Sequence, residues 1–261
     1  MLLSELENRG VFENYMESVN LRLKDEGIPF AARPFRAWRI LQIDTCSSLL
    51  FGGGEYVRIE EWFNNHYGER LRSSNGHRRM LAVLGGDVWV LKFPFVFGTT
   101  RISLPQMIEQ CPANLLARSS TAEISSLQTC TPKAFEAFDA LERTSPELRS
   151  DWLSAIEQAT TSPPNFGLSR WGSQQTLEKI IKAYVTNRGG SAPRTHRLLQ
   201  LATLAERLGL PAIDQLLLAK VECLPAIRYP STPESVATTQ YDAVEANQAA
   251  LLLCGHVANH L

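Results

Sequence analysis

Apolar side chains recur at two different intervals along the chain, and the change of interval divides the sequence near residue 130. Over residues 11–25, "VFENYMESVNLRLKD", they fall at helical spacing and stop before Gly27-Ile28-Pro29, which predicts an amphipathic helix. From Met80, "MLAVLGGDVWVLKFPFVFG" has two apolar runs flanking Gly85-Gly86-Asp87. Glycine accepts the positive φ of a tight turn, so this pattern predicts a β-hairpin. Pro94 has no amide donor and puts the second strand at an edge or bulge. "LPQMIEQC" predicts a short helix. Residues 1–130 read as a mixed α/β, α+β-type domain whose topology the pattern does not give, and which resembles no family.

From residue 131 the pattern is helical throughout. "SPELRSDWLSAIEQA" has Ser145 as N-cap, Pro146 at the first helical position, and Leu148, Trp152, Ala155, Ile156 and Ala159 as one apolar stripe. In "SQQTLEKIIKAYVTNRGG" the stripe is Leu177, Ile180, Ile181, Tyr184 and Val185, and Gly189-Gly190 stops the helix. "THRLLQLATLAERLG" is predicted to be capped by Thr195 and closed by Gly209, and "PAIDQLLLAKVECL" to end before Pro225. The last helix is predicted to start at "STPES", either through a Ser231/Glu234 capping box or with Thr232 as cap. Short connections between such helices imply an all-α bundle of four to five helices over residues 131–261.

Composition narrows the function classes only slightly. The 261 residues are 44% hydrophobic and 20% charged, with a formal net charge of −1. An anionic partner must therefore meet a local patch of cations. The N-terminus carries Glu5 and Glu7 and does not read as a signal peptide, and apolar runs are short or interrupted by charge, as at Lys92. Five scattered cysteines without a C-x-x-C pair suit reduced thiols. The expectation is a cytoplasmic protein without membrane association.

Three short motifs occur in order in the helical half. They are Glu178, Lys179, Lys182 and Ala183 on one helix; Pro193, Thr195, His196 and Leu198 at the next helix start; and Arg228-Tyr229-Pro230 before the last helix. At this spacing the chain resembles the HEPN domain (higher eukaryotes and prokaryotes nucleotide-binding) over roughly residues 135–261. The resemblance implies a helical bundle, frequent homodimerisation, and roles in nucleotide or RNA transactions, in some members as toxin or defence ribonucleases with an R-x(4–6)-H motif. One departure stands out: where the family has Asp after the His, this chain has Arg197.

That departure shapes the candidate chemistry. Helix starts normally attract acids because their dipole is positive there, yet Arg194, His196 and Arg197 surround this one. Residues 179–197 hold five Lys and Arg and no acid. Lys179, Lys182, Arg188, Arg194, His196, Arg197 and Arg228 are thus the candidate phosphate-binding set, with a nucleotide or RNA as ligand. A purely structural account stands beside it, with Lys182 paired to Glu178 at i+4, solvated arginines, and a bundle that serves only to dimerise. The catalytic account names His196 as acid or base of a metal-independent ribonuclease. Its spacing argues against it, since Arg188 precedes His196 by eight positions and Arg194 is too near. "RSSNGH", Arg72 to His77, satisfies the nuclease spacing but lies in the other half. "FGGGEYVRIEEW" has no following Ser and the chain has no D-x-D, so a nucleotidyltransferase is not indicated. His256 and His260, at i and i+4, are a spacing for a metal pair without a nearby carboxylate, and no metal or other cofactor is expected. "ARPFRAWR" and "GERLRSSNGHRR" are basic stretches, the first interleaved with Phe35 and Trp38, which suit either single-stranded nucleic acid or a solvated face over a buried core.

Overall fold

The computed structural model describes residues 3–28, 32–47, 49, 53–67, 78–94, 102–141, 144, 146–229 and 231–261. The protein is mostly helical, with one two-stranded antiparallel sheet among the described residues. No described helix is long and apolar enough to cross a membrane. The chain forms two compact units: Met1–Gly76 with Pro94–Arg101, and His77–Phe93 with Ile102–Leu261.

The first unit is built on α1 (Arg9–Asp25), α2 (Arg33–Thr45) and α3 (Gly54–Tyr67). The Asn8 side chain caps α1 by accepting from the amides of Gly10 and Val11, and Gly27 ends it at φ +70°. Phe12, Met16, Val19, Trp38, Leu41, Ile59 and Phe63 close the core. "ARPFRAWR" opens α2, and its arginines do not share one face. Arg33 is buried and donates to the carbonyl of Ile28 and to Asn20 and Tyr67, while Arg36 and Arg39 are exposed. Among its described residues this unit holds no strand. The hairpin that made the N-terminal half read as α+β lies in the second unit, because both strands find their apolar cover among the helices that follow. Of "FGGG", Gly54 begins α3 and residues 51 and 52 lie outside the described residues, as do Arg70, Arg72 and all of "RSSNGH".

The hairpin itself forms as predicted. β1 (Arg79–Leu84) pairs with β2 (Asp87–Lys92) around Gly85 and Gly86, at φ +58° and +82°. Two successive positive φ values are why glycines occupy the turn. The helices of this unit are α4 (Thr121–Leu141), α5 (Pro146–Thr160), α6 (Phe166–Asn187), α7 (Leu198–Arg207), α8 (Gln215–Val221) and α9 (Gln240–Ala258), with single turns at Leu104–Met107, Leu115–Arg118, Pro225–Arg228 and Pro233–Val236. α9 packs against α4, α6 and α8, and α5 and α7 flank α6. Buried Asn247 and its neighbour Gln248 on α9 accept from and donate to the backbone of Leu81, which satisfies the outer edge of β1. The stripes predicted for α5 and α6 are buried, each of the latter fully, and each such side chain contributes about 1.5–3 kcal/mol.

Several boundaries differ from expectation. α4 continues through Pro132, which forgoes one helical hydrogen bond. α6 starts at Phe166, capped by the Asn165 side chain, and runs through Gly167 and Gly172. Those glycines look like breaks in sequence, but a Cβ at Gly172 would sit 2.9 Å from the Cβ of Ala155, so close contact between α5 and α6 requires it. α7 begins at Leu198, not Thr195. Its N-cap is Arg197, which offers no side-chain acceptor; Thr195 instead accepts from the amide of Arg197 through Oγ1. The last helix does not start at a Ser231/Glu234 box. Thr232 caps one turn at Pro233–Val236, and α9 then starts afresh at a Thr239/Asp242 capping box. Ser145 and Pro230 lie outside the described residues.

Candidate functional site

One face of α6 carries Trp171, Gln174, Glu178 and Lys182, spaced so that they stack along the helix. Gln174 is fully buried, and it joins two segments. Its Nε2 donates to the carbonyl of His196 at 3.0 Å, and its Oε1 accepts from the amide of Cys223. Gln174 thus fastens both the approach to α7 and the exit from α8 to α6. Arg170 holds the same exit by donating to the carbonyls of Lys220 and Glu222.

Glu178 is the only carboxylate on that face among the described residues, and its side chain is 6% exposed. Three donors converge on it: Lys182 Nζ on Oε1 at 2.7 Å, and Gln175 Nε2 and His196 Nδ1 on Oε2 at 3.0 and 2.9 Å. A carboxylate that accepts throughout fixes the position of each partner. The His196 ring also meets the edge of Trp171, with centroids 5.5 Å apart. Over Trp171 lies the Arg228 guanidinium, 4.8 Å from the ring centroid, which also donates to the carbonyl of Pro225 and lies over Tyr229. Tyr229 is 55% exposed, so it does not pack into the core; its ring supports Arg228 instead.

Above this layer is an open depression of about 830 Å³. Arg194, His196, Arg197 and Leu199 form one wall, and Glu222 to Pro225 the other. Arg194 and Arg197 are exposed, and neither side chain has an ion-pair or hydrogen-bond partner among the described residues. Burial pushes the Cys223 thiol up to about 11, against the lowering influence of Arg170, so this wall presents a neutral thiol at neutral pH.

Of the seven candidate phosphate ligands, Arg194, His196 and Arg197 line the depression, and Lys182 and Arg228 lie behind it, on Glu178 and over Trp171. The other two lie elsewhere. Lys179 turns to Asp151 on α5, and Arg188 donates to the carbonyl of His260 and lies over Tyr184. Helical geometry separates Lys179 from its neighbours because adjacent positions point to different faces. Arg188 sits past the end of α6, where the chain turns away at Gly189. His256 and His260 each bond a backbone carbonyl, those of Pro211 and His256.

Residues 168–254 match the family model described as HEPN domain. The C-terminal region of this chain carries a HEPN domain. Neither the curated proteins nor the solved structures contain a match to the chain. The matched segment runs from α6 into α9, so the whole depression belongs to the HEPN domain.

Sequence reasoning named the rim of this site and missed its floor. Trp171 and Gln174 are not singled out by the sequence pattern, and Glu178 enters there as part of the first motif and as the i+4 partner of Lys182, not as the support of His196. A signal was present: Gln174 and Glu178 stand three positions before Leu177 and Ile181 of the apolar stripe, which puts two polar groups at its buried margin, where they need partners.

Proposed function

We propose that the HEPN domain binds a phosphate-bearing ligand, a nucleotide or an RNA strand, in the depression between Arg194–Gln200 and Glu222–Pro225, without cleaving it. The observation that carries this reading is the pair Arg194 and Arg197, unpartnered at the start of α7, where no side chain caps the helix. A phosphate there takes charge-assisted hydrogen bonds from both guanidinium groups and from open backbone amides, and relieves like-charge crowding at the positive helix end. Arg228, held on Trp171 behind His196, adds positive charge beside this wall.

The placement of Arg188 supports binding over cleavage. A HEPN-type nuclease needs an arginine upstream of the His and beside it, and Arg188 is engaged with the carbonyl of His260. Homodimerisation, implied by the family, is part of the proposal; Leu199 and Leu224, 50% and 64% exposed, flank the depression and suit a covered surface. Thermal-shift measurement against nucleotides and short RNAs tests the binding reading, because a ligand selective for the folded state raises the melting temperature. The absence of any shift sinks it. Incubation with total RNA in chelator tests the remainder: intact RNA is expected, and cleavage that His196→Gln abolishes restores the ribonuclease account.

A further inference from the structure

We propose that Glu178 sets the tautomer of His196, so that anion capture in the depression takes up one proton at His196 Nε2. This rests on the phosphate-binding reading above. Glu178 Oε2 accepts from His196 Nδ1 at 2.9 Å while Lys182 and Gln175 occupy the rest of the carboxylate. An ionised carboxylate only accepts, so Nδ1 carries a proton in both charge states of the ring. In the neutral ring Nε2 then holds a lone pair. The His196 side chain is 52% exposed with its Nδ1 edge on a buried acid, which leaves the Nε2 edge toward the depression.

A lone pair there repels a phosphate oxygen, whereas an N–H donates to it. Binding therefore selects the imidazolium: a proton from solvent adds to Nε2, the Nδ1–H bond to Glu178 stays, and the new N–H bonds the ligand. The groups around the ring fix how this linkage is felt. Glu178 lies beneath it and Lys182 beyond Glu178 on α6; Arg228 lies across Trp171; Arg194 and Arg197 flank it on its own segment; Glu222 and Cys223 form the facing wall. The bound state holds the additional proton, so affinity rises as pH falls and levels off once the free state holds that proton too.

The test is fluorescence anisotropy of the full chain with a rhodamine-labelled oligouridylate, whose phosphodiesters do not titrate, from about pH 5 to about pH 8 at constant salt. For the wild-type chain, affinity is expected to fall by a factor approaching about tenfold per pH unit at the upper end, the limit for one linked proton. His196→Gln is expected to bind with no pH slope. Glu178→Gln is expected to flatten the slope while retaining binding, because its amide can donate to Nδ1 and release the neutral ring's proton to Nε2. Circular dichroism of both variants confirms that they are folded. Wild-type binding that is independent of pH, or a His196→Gln variant that keeps the slope, overturns the proton linkage and leaves phosphate binding standing. No binding at any pH removes both.

Discussion

Gln174→Leu is the sharpest probe of how the depression is held together. Leucine fills nearly the same volume and cannot make hydrogen bonds, so the change removes two interactions and leaves the packing of a fully buried position largely in place. The carbonyl of His196 and the amide of Cys223 lose their partner. Each such bond contributes about 0.5–1.5 kcal/mol when water replaces it, and more when the orphaned group stays dry. Both segments border an open depression, so water reaches them, and the loss is about 2 kcal/mol. For a unit of this size that corresponds to about 4–8 °C in melting temperature. Gln174→Glu serves as the control with opposite chemistry. It keeps an acceptor for Cys223 but turns a carboxylate oxygen toward the carbonyl of His196, and it buries a charge. Burial raises that carboxyl's folded-state value, so the variant matches the wild type best below about pH 4.3 and loses stability as pH rises above it. Thermal melts followed by far-UV circular dichroism at neutral and acid pH give both numbers. A Gln174→Leu variant that melts within about 1 °C of the wild type, or a Gln174→Glu variant more stable than it at neutral pH, refutes the account of Gln174 as the tie between the two walls.

Other parts of the structure make equally definite claims. Gly255→Val is expected to cost about 3 kcal/mol in urea unfolding, because even a Cβ there would lie 2.5 Å from the Cβ of Ala137 and would force α9 away from α4. Arg194→Ala with Arg197→Ala should weaken oligouridylate binding and flatten the slope of log affinity against log salt by about 1.4, the share of two phosphate contacts on a single strand; an unchanged slope places the phosphates elsewhere. Glu123 is held below its ordinary range chiefly by the Ser120 amide, with further bonds from the Ser120 hydroxyl and the Gly86 and Gly85 amides, against some desolvation. Its contribution is therefore present above about pH 4.5 and is lost as pH falls through the lowered value; on a side chain that solvent still reaches, it is worth no more than about 1 kcal/mol. Glu123→Gln should remove that part of the acid sensitivity, read from urea midpoints across pH.

What the sequence made legible follows from the range of the forces involved. The hairpin and the stripes of α5 and α6 depend on local φ preference and on short-range periodicity, and they were read correctly down to Gly85-Gly86 and to Leu177, Ile180, Ile181, Tyr184 and Val185. The assignment of the hairpin was another matter. Its partners, Asn247 and Gln248, lie more than half the chain away, and no local pattern announces them. The same holds at the site. The cations were visible as a cluster, but which of them converge depends on the facing directions of α6: Lys182 points to the Glu178 layer and Lys179 to Asp151. Thr195 was read as the cap because a Thr near a helix start is a good cap; the structure instead spends its hydroxyl on a turn that carries the chain from Pro193 to Arg197.

The start of α7 is poorly made as a helix end, and this gives the site its meaning. Arg197 at the N-cap forgoes a side-chain acceptor worth about 1 kcal/mol, and cations at a positive helix end cost a few tenths to about 1 kcal/mol more. An Asp at the same position, as the family pattern has it, would remove both costs. The rest of the structure works to hold this unfavourable end in place: Gln174 fixes its backbone, Glu178 fixes its His, and α6 buries both of those polar groups to do so. Local propensity also yields to packing at Pro132 in α4 and at Gly172 in α6, where the close approach of α5 accounts for the glycine. At the start of α7 the disagreement is exposed and is supported from beneath by buried hydrogen bonds, the pattern expected where an anion completes the site. On that reasoning Arg197→Asp should stabilise the free domain while weakening phosphate binding. A variant that gains stability and binds oligouridylate as well as the wild type would show that the cationic helix start serves no ligand.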